Sequence, residues 1–515
     1  MRCGAKSGRV NGAVAAAEER VALAAPLLQR AWESSAASSA CGQCHEDDVA
    51  QVVLVCEADL SNNIMGALHP HGSLYERPVN MAVCARQHAG FREALEAEGA
   101  HTLAVREVLL HDVESSLRAR VELEDLAAEQ LRYHMDGGAR SRCFDHIHHA
   151  HGVPSRCDGG ADGGGRPTPQ GEAPAQHKDS AGAYYVTDQY KQTVLRAMSA
   201  EQLVDVVLTG PTVRISPSYR DTGFTATYEF TPVSNLQFTR DQQIVTMRGI
   251  VMARLRSEQR IREVNIMRYV HEKLGLPVVG EIQGEDAFLE GGDFFPAGED
   301  LCFIGVGLRS TRAACEELMR KDLLGTRRVA VVRDETDKSQ DRMHLDCVFN
   351  IASDRVCLLY EGAMGDAPTR RLVDVYERHA PGEGYEITTA GVEFGAFLRG
   401  EGYTIVPISA EEQLAYACNI LNLGGGCVLS CHEDSARKLA RTREFTGNVH
   451  YVEFDQITAM YGALHCSSQV LLRTAEDPEL VTTGTVTKRR LHLKSGGGRC
   501  FSGIGRAARS DSLAA

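Results

Sequence analysis

Apolar residues along this chain switch between two spacings. The run Val52-Val53-Leu54-Val55-Cys56, bounded by polar residues, predicts a buried strand. Leu109, Val113, Leu117 and Val121 recur four apart and predict a helix over 103–133. Helical signals return over 190–208, where Ser199-Ala-Glu-Gln202 offers a capping box, each side chain satisfying a backbone N–H of the first turn. From 225 to 473 short β-rich runs alternate with helices, and 301–307, 329–332, 356–360, 404–408, 449–454 and 470–472 read as strands. Between them, 250–274 reads as one amphipathic helix with Ile261, Val264, Met267, Val270 and Leu274 on its apolar side. Strand–helix–strand units of this size imply an α/β class. Identity between the units is too weak to establish a repeat from sequence.

The pattern fails in three places. Residues 1–50 read as a disordered leader with one helical stretch at 13–30. Its first 17 residues carry Arg2, Lys6 and Arg9 but no acid, so an organelle address (mitochondrion or plastid) stands beside the default expectation of a cytoplasmic protein. Residues 136–182 are rich in Gly, Pro, His, Asp and Ala and cannot build a core, which predicts a disordered insertion. Residues 474–515 read as a disordered tail.

Composition adds limits. With 515 residues and a 43% hydrophobic fraction the chain can bury a sizeable core. A net charge of −14 and the lack of a long basic run argue against nucleic acid. No stretch approaches the roughly 18 to 20 unbroken apolar residues of a membrane span, so no membrane partner is expected. The 16 cysteines are scattered, and Cys302, Cys347, Cys357 and Cys418 sit in apolar runs, as buried thiols of a reducing compartment would. Oligomeric state is not legible, and a homo-oligomer stays open.

Several smaller motifs have bland explanations. Cys41-Gly-Gln-Cys44-His45 has the spacing of a c-type haem attachment, but no axial methionine or haem fold accompanies it. His146, His148, His149, His151 and Cys157 fall in the low-complexity insertion and read as a His-rich loop. Cys431-His432-Glu433-Asp434 reads as a surface turn, since adjacent side chains rarely converge on one ion. Gly424-Gly-Gly426 lacks the Lys and Ser/Thr of a phosphate loop and reads as a tight turn.

Four motifs in order carry chemistry: Asn235-Leu-Gln-Phe-Thr-Arg-Asp241, Glu290-Gly-Gly-Asp293, His344-Leu-Asp346 and Leu464-His-Cys466-Ser-Ser. Each alone is modest; their combination fits hydrolysis of a guanidinium group. That group is a planar cation with a pKa above about 12. Paired carboxylates can clamp its fork of N–H donors. A thiolate is a strong nucleophile for its central carbon. A histidine can protonate the leaving ammonia and then deprotonate water.

The set resembles the arginine deiminases of the guanidino-group-modifying superfamily. The resemblance covers about 185–473 and includes Ala417-Cys-Asn-Ile-Leu-Asn-Leu-Gly-Gly-Gly426; 52–110 matches less clearly. It implies a five-fold pseudosymmetric α/β propeller of ββαβ units, with the site on its axis and a helical domain inserted after the first unit. The expected division is 51–102 for the first part of the propeller, 103–215 for the helical insertion and 216–473 for the remainder. The resemblance implies L-arginine as substrate, in arginine catabolism, and no metal or organic cofactor. It implies Cys466 as nucleophile, His344 as acid/base, Asp241 and Asp346 as the guanidinium clamp, and Glu290 as the carboxylate supporting the histidine and the cation. Asn235, Arg256 and Arg309 match positions that hold the substrate's α-carboxylate.

One departure stands out. The family usually has an arginine five residues before the nucleophile, where this chain has Tyr461. Two other readings remain beside hydrolysis: an amidinotransferase with the same Cys/His chemistry, and a non-catalytic arginine-binding protein.

Overall fold

The computed structural model describes residues 7–35, 42–58, 63–135, 184–218, 223–475 and 500–502. The low-complexity insertion with its His/Cys group lies outside these residues, as do Cys41 and nearly all of the C-terminal segment. The chain divides into two compact units, one of residues 1–111 and 233–515 and one of residues 112–232. The architecture is mixed α/β. Among the described residues no helix is long and apolar enough to cross a membrane.

The larger unit repeats one supersecondary motif five times among its described residues. Each copy is an antiparallel strand pair, a helix, and a third strand parallel to the second. The first copy joins Gln243–Thr246 to Gly249–Met252, crosses by the helix Ile261–Lys273, and adds Val278–Glu281. The second uses Phe294–Pro296, Leu301–Val306, the helix Arg312–Arg320 and Arg328–Arg333. The third uses Phe349–Ser353, Val356–Tyr360, the helix Phe394–Gly400 and Thr404–Ile408. The fourth uses Leu421–Gly424, Cys427–Ser430, the helix Glu433–Arg441 and Asn448–Tyr451. The fifth takes its first strand, Gln469–Thr474, from late in the chain and the others, Val49–Val55 and His101–Ala104 with the helix Met81–Ala97 between them, from early in it. A parallel neighbour cannot be reached by a tight hairpin, so each third strand requires its crossover helix.

Two additions decorate these sheets. The strands Leu372–Glu377 and Glu386–Glu393 extend the second copy's sheet, antiparallel to it. Cys500–Ser502 extends the fourth along Asn448–Tyr451. Central strands are apolar on both faces: Val329 to Val332 and Cys302 to Ile304 are all fully buried. The smaller unit packs the helix Leu117–Gln130 against Ala200–Thr209 and holds a sheet of Arg132–Met135, Pro211–Pro217 and Phe224–Phe230.

Three expectations meet a different structure. Over Ser7–Ser35 the expected leader is one helix, and Val21, Ala24 and Leu28, three and four apart, are fully buried. The expected helix over 103–133 breaks: it stops at Leu110, Asp112 adopts a left-handed φ of 58°, and Ser116 caps a new helix. Leu117 and Val121, placed on the apolar stripe by spacing, are exposed. The expected helix over 250–274 begins only at Ile261, because Ile250, Val251 and Met252 belong to a strand buried on both faces. A short continuous apolar run does not by its spacing distinguish such a strand from helix. The capping box at Ser199 and Gln202 forms. Gly424, Gly425 and Gly426 all take left-handed φ values in a hairpin turn, which glycine allows without steric cost. His432 caps the helix that follows it, its ring nitrogen accepting from Ser435 N. Cys302, Cys347, Cys357 and Cys418 are buried free thiols.

Candidate active site

The five repeats present their chemistry from one equivalent place, the turn just before each first strand. Asp241 precedes Gln243–Thr246, Glu290 precedes Phe294–Pro296, and His344 and Asp346 precede Phe349–Ser353. Asn419 precedes Leu421–Gly424, and Cys466 precedes Gln469–Thr474. Repetition of a fold unit thus brings residues far apart in sequence to one centre.

The turns approach closely because glycines line them. A Cβ on Gly291 would stand 1.9 Å from the carbonyl oxygen of Arg240, so only glycine lets the second turn lie against the first. A Cβ on Gly292 would stand 2.7 Å from His344 Nδ1 and 3.1 Å from Asp346 Oδ1. The Glu-Gly-Gly-Asp motif is therefore a spatial requirement: its glycines clear room, and its acids hold the next turn. Asp293 accepts the backbone N–H of Leu345 at 2.8 Å and the Ser310 hydroxyl at 2.6 Å, anchoring the segment that carries His344 and Asp346. Burial lifts the Asp293 carboxyl to about 6, against the pull of His344.

His344 and Glu290 form a fully buried pair with Nε2 2.7 Å from Oε2, and Asp241 Oδ1 lies 3.8 Å from His344 Nδ1. Burial by itself would lower the imidazole pKa, but Asp241, then Glu290 and Asp293, raise it to about 10. Burial would raise the Glu290 carboxyl, and His344 with Arg309 and Arg260 brings it down to about 2. His344 is thus an imidazolium at neutral pH, poised to donate.

Cys466 is buried. Its Sγ lies 3.4 Å from Asp346 Oδ2 and 3.2 Å from Asn419 Nδ2. Burial, and then the Asp346 charge, push the thiol well above its ordinary value, so the resting sulfur is protonated. Asp346 also receives His465 Nδ1 at 2.9 Å. Although burial opposes ionisation, that contact keeps the carboxyl below its ordinary range. His465 stacks on Phe295 with ring centroids 5.0 Å apart and has Nε2 3.9 Å from Glu46 Oε1. Glu46 accepts from Arg473 at 2.6 Å, which holds it far below the carboxylate range against its burial.

A narrow cavity opens onto Cys466, lined also by Asn235, Asp241, Arg260, Arg309, Leu74 and Tyr461. Arg260 Nη1 donates to Asp241 Oδ2 at 2.7 Å, and its Nε and Nη2 donate to Glu263 Oε2. Arg309 donates to Gln340 Oε1 at 3.1 Å and lies 3.9 Å from Glu290. Asn235 donates to Ser73 O, and its own carbonyl accepts from Arg260. Among the described residues, Asp241 Oδ1, His344 Nδ1 and Arg309 Nε are buried without a hydrogen-bond partner.

Seven of the residues selected by sequence therefore meet here. Arg256 does not join them at the cavity: its exposed guanidinium donates to Leu308 O, and only its backbone N–H reaches Glu290 Oε1 at 3.1 Å. Of this stretch, the arginine that lines the cavity is Arg260, four residues later. Asn419 and His465 are further site residues: both lie inside stretches quoted from the sequence, but neither carries an expected role there. A buried asparagine at the shared offset before a strand was the available signal for the first.

Comparison with known proteins places this arrangement. The arginine deiminase family model matches residues 171–473, more than half of the 515 residues. The arginine deiminase of Halobacterium salinarum is 26% identical over 329 residues, 48% of this chain and 65% of that protein. The arginine deiminase of Streptococcus agalactiae serotype V is 27% identical over 212 residues, 38% of this chain and 51% of that protein. The chain thus spans less than two thirds of these relatives' length. Among solved structures, the product-bound N-terminal domain of ArgZ, a cyanobacterial arginine dihydrolase, aligns with a TM-score of 0.36 and 16% identity, over 51% of this chain and 80% of that one. SxtG, an amidinotransferase from Microseira wollei, aligns with a TM-score of 0.45 and 11% identity, over 84% of this chain and 98% of that one. By the extent of the family match, the chain belongs to the arginine deiminase family.

Proposed function

We propose that this protein hydrolyses L-arginine to L-citrulline and ammonia through a covalent intermediate on Cys466. The observation that carries this reading is the set of unpaired buried atoms around the thiol: Asp241 Oδ1, His344 Nδ1 and Arg309 Nε. Buried polar atoms are nearly always paired. Arginine would supply N–H donors for the carboxylate at one end and a carboxylate for Arg309 at the other.

In this mechanism Asp241 and Asp346 clamp the guanidinium. The bound cation offsets the burial and negative charge that hold the thiol up, and Cys466 releases its proton to solvent. Its sulfur bonds to the guanidinium carbon. His344 gives its proton to a terminal nitrogen, the C–N bond breaks and ammonia departs. A thiouronium cation remains on sulfur. Neutral His344 then takes a proton from water as the water oxygen bonds to the same carbon. The C–S bond breaks, the hydroxyl proton of the intermediate passes to the departing sulfur, citrulline leaves, and the ammonia takes up the proton released earlier, so the net products are citrulline and ammonium. Glu290 fixes the imidazole through Nε2. Arg309 and Asn235 would receive the α-carboxylate; Arg260, already held by Asp241 and Glu263, orients the clamp. The same reading closes the five ββαβ units into a propeller around the site, with residues 112–232 as the inserted domain.

The test is citrulline and ammonia release from L-arginine by purified wild type beside Cys466→Ala. Equimolar products lost in the variant support the proposal. A folded wild type that yields neither product overturns it. Amidino transfer to added glycine would make the enzyme an amidinotransferase, and binding of arginine without turnover would make it a binding protein.

A further inference from the structure

Away from this centre, three side chains of different chemistry converge between the fourth and fifth repeats. Glu98 ends the helix Met81–Ala97. Cys427 begins the second strand of the fourth repeat, and His450 lies in its third. One carboxylate oxygen, the Cys427 sulfur and one His450 ring nitrogen all lie within 4.8 Å of one another. Glu98 is exposed and the other two are half-buried, so solvent reaches the group.

We propose that Glu98, Cys427 and His450 form a binding site for a zinc-class divalent cation. The donors are one thiol, one imidazole and one carboxylate, the three side-chain types that zinc takes. An all-oxygen set would suit magnesium or calcium; sulfur with nitrogen selects the softer ions. Nitrogen and oxygen ligands about 2.1 Å from a tetrahedral zinc stand about 3.4 Å apart. His450 Nε2 and Glu98 Oε1 stand 3.4 Å apart, longer than an optimal hydrogen bond and matching that edge. A carboxylate beside a thiol opposes formation of the thiolate; a cation between them reverses that effect. Three protein ligands leave a fourth position for water or another donor. The ligands come from distant parts of the chain, so no spacing motif announces them. Bound metal would tie the fourth repeat to the fifth.

Cobalt titration of the full chain tests this. Stripped wild-type protein should take up one equivalent of Co²⁺ with a thiolate-to-cobalt charge-transfer band that Zn²⁺ displaces. Cys427→Ser should lose the band, His450→Gln and Glu98→Gln should each weaken Co²⁺ binding at least tenfold, and the rise in Tm with Zn²⁺ should vanish in all three. Circular dichroism checks that each variant is folded. The proposal is overturned if wild type shows no such band or if the band persists in Cys427→Ser. Unchanged affinity in the exposed-site variant Glu98→Gln overturns it equally, and does so even if Cys427→Ser fails to fold.

Discussion

Asn419 holds Cys466 with both ends of one amide: Nδ2 lies 3.2 Å from Sγ, and Oδ1 accepts the Cys466 backbone N–H at 3.3 Å. The same oxygen accepts the His465 N–H at 3.1 Å, so one side chain fixes the position of the sulfur and of the turn that bears it. Removing a single well-placed donor at a reacting centre costs about 10²- to 10³-fold in kcat. Asn419→Ala should lower kcat by that order with little change in KM. Asn419→Asp, of equal size, should be at least as damaging, because a second carboxylate beside the sulfur disfavours the thiolate. Steady-state kinetics on arginine check both; a near-normal kcat in Asn419→Ala would remove Asn419 from the site.

Gly292 should tolerate no side chain. A methyl group 2.7 Å from His344 Nδ1 must displace the imidazole or the turn. Gly292→Ala should therefore lose at least 100-fold in kcat, since misplacement of about 1 Å at a reacting group has that effect. Citrulline release measures the loss, and a crystal structure of the variant should show the ring moved.

Two arginines four residues apart should behave differently. Arg260 is buried and bonded to Asp241 and Glu263, whereas the Arg256 guanidinium is exposed. Breaking a buried pair by removing one partner costs about 3 to 5 kcal/mol. Arg260→Ala should lower Tm sharply and abolish turnover, and Arg260→Lys should recover the fold better than the activity, because an ammonium lacks the planar fork. Arg256→Ala should leave Tm essentially unchanged and turnover within a few-fold of wild type.

The raised imidazole pKa makes a prediction about pH. His344 titrates at about 10 in the folded protein, above its ordinary 6.5. Burial opposes that rise and the carboxylates cause it. The folded state binds this proton more tightly, so its stabilisation is complete below about 6.5 and is lost as pH climbs towards 10. Unfolding free energy should fall over that window. Glu290→Gln removes one of the supporting charges, and should move both this decline and the alkaline limb of kcat to lower pH. An unmoved limb would show that another group sets it.

Tyr461 and Leu74 both line the cavity with left-handed φ values, 67° and 61°. Such backbone costs an L-residue about 1 to 2 kcal/mol. Tyr461→Gly should relieve that strain and raise Tm slightly. Tyr461→Arg, which restores the family's usual residue, should lower KM for arginine; an unchanged KM would separate this position from substrate capture.

What could be read from the sequence was the chemistry that sits in contiguous motifs. Asp241, Glu290, His344, Asp346 and Cys466 each lie in a short stretch beside a strand, so residue type and order suffice to collect them. Asn419 and His465 were visible as letters but not as partners, since their roles rest on which oxygen or sulfur they reach across 46 to 119 positions. Arg256 follows from the family resemblance by its place in the sequence alone, whereas which side chain turns toward the cavity depends on where the strand Gly249–Met252 ends and the next helix begins. The helix expected at 13–30 runs the longer Ser7–Ser35, and small residues, whose weak contrast between apolar and polar positions hides a buried face, obscured its packing against the core.

The strand that follows Cys466 pairs with Val49–Val55, and Arg473 donates to Asp48 O across 425 positions. The repeat that follows Cys466 is thus stitched from early and late segments of the chain. A ribosome must have released nearly all of the described chain before that seam can form, and contacts of such separation form slowly. Four repeats can assemble as they emerge while the strand after Cys466 still has no fixed partner. On the proposed function, turnover would report that this seam has formed, and a product cut short before Gln469 would carry four finished repeats and a Cys466 with no strand of its own to hold it.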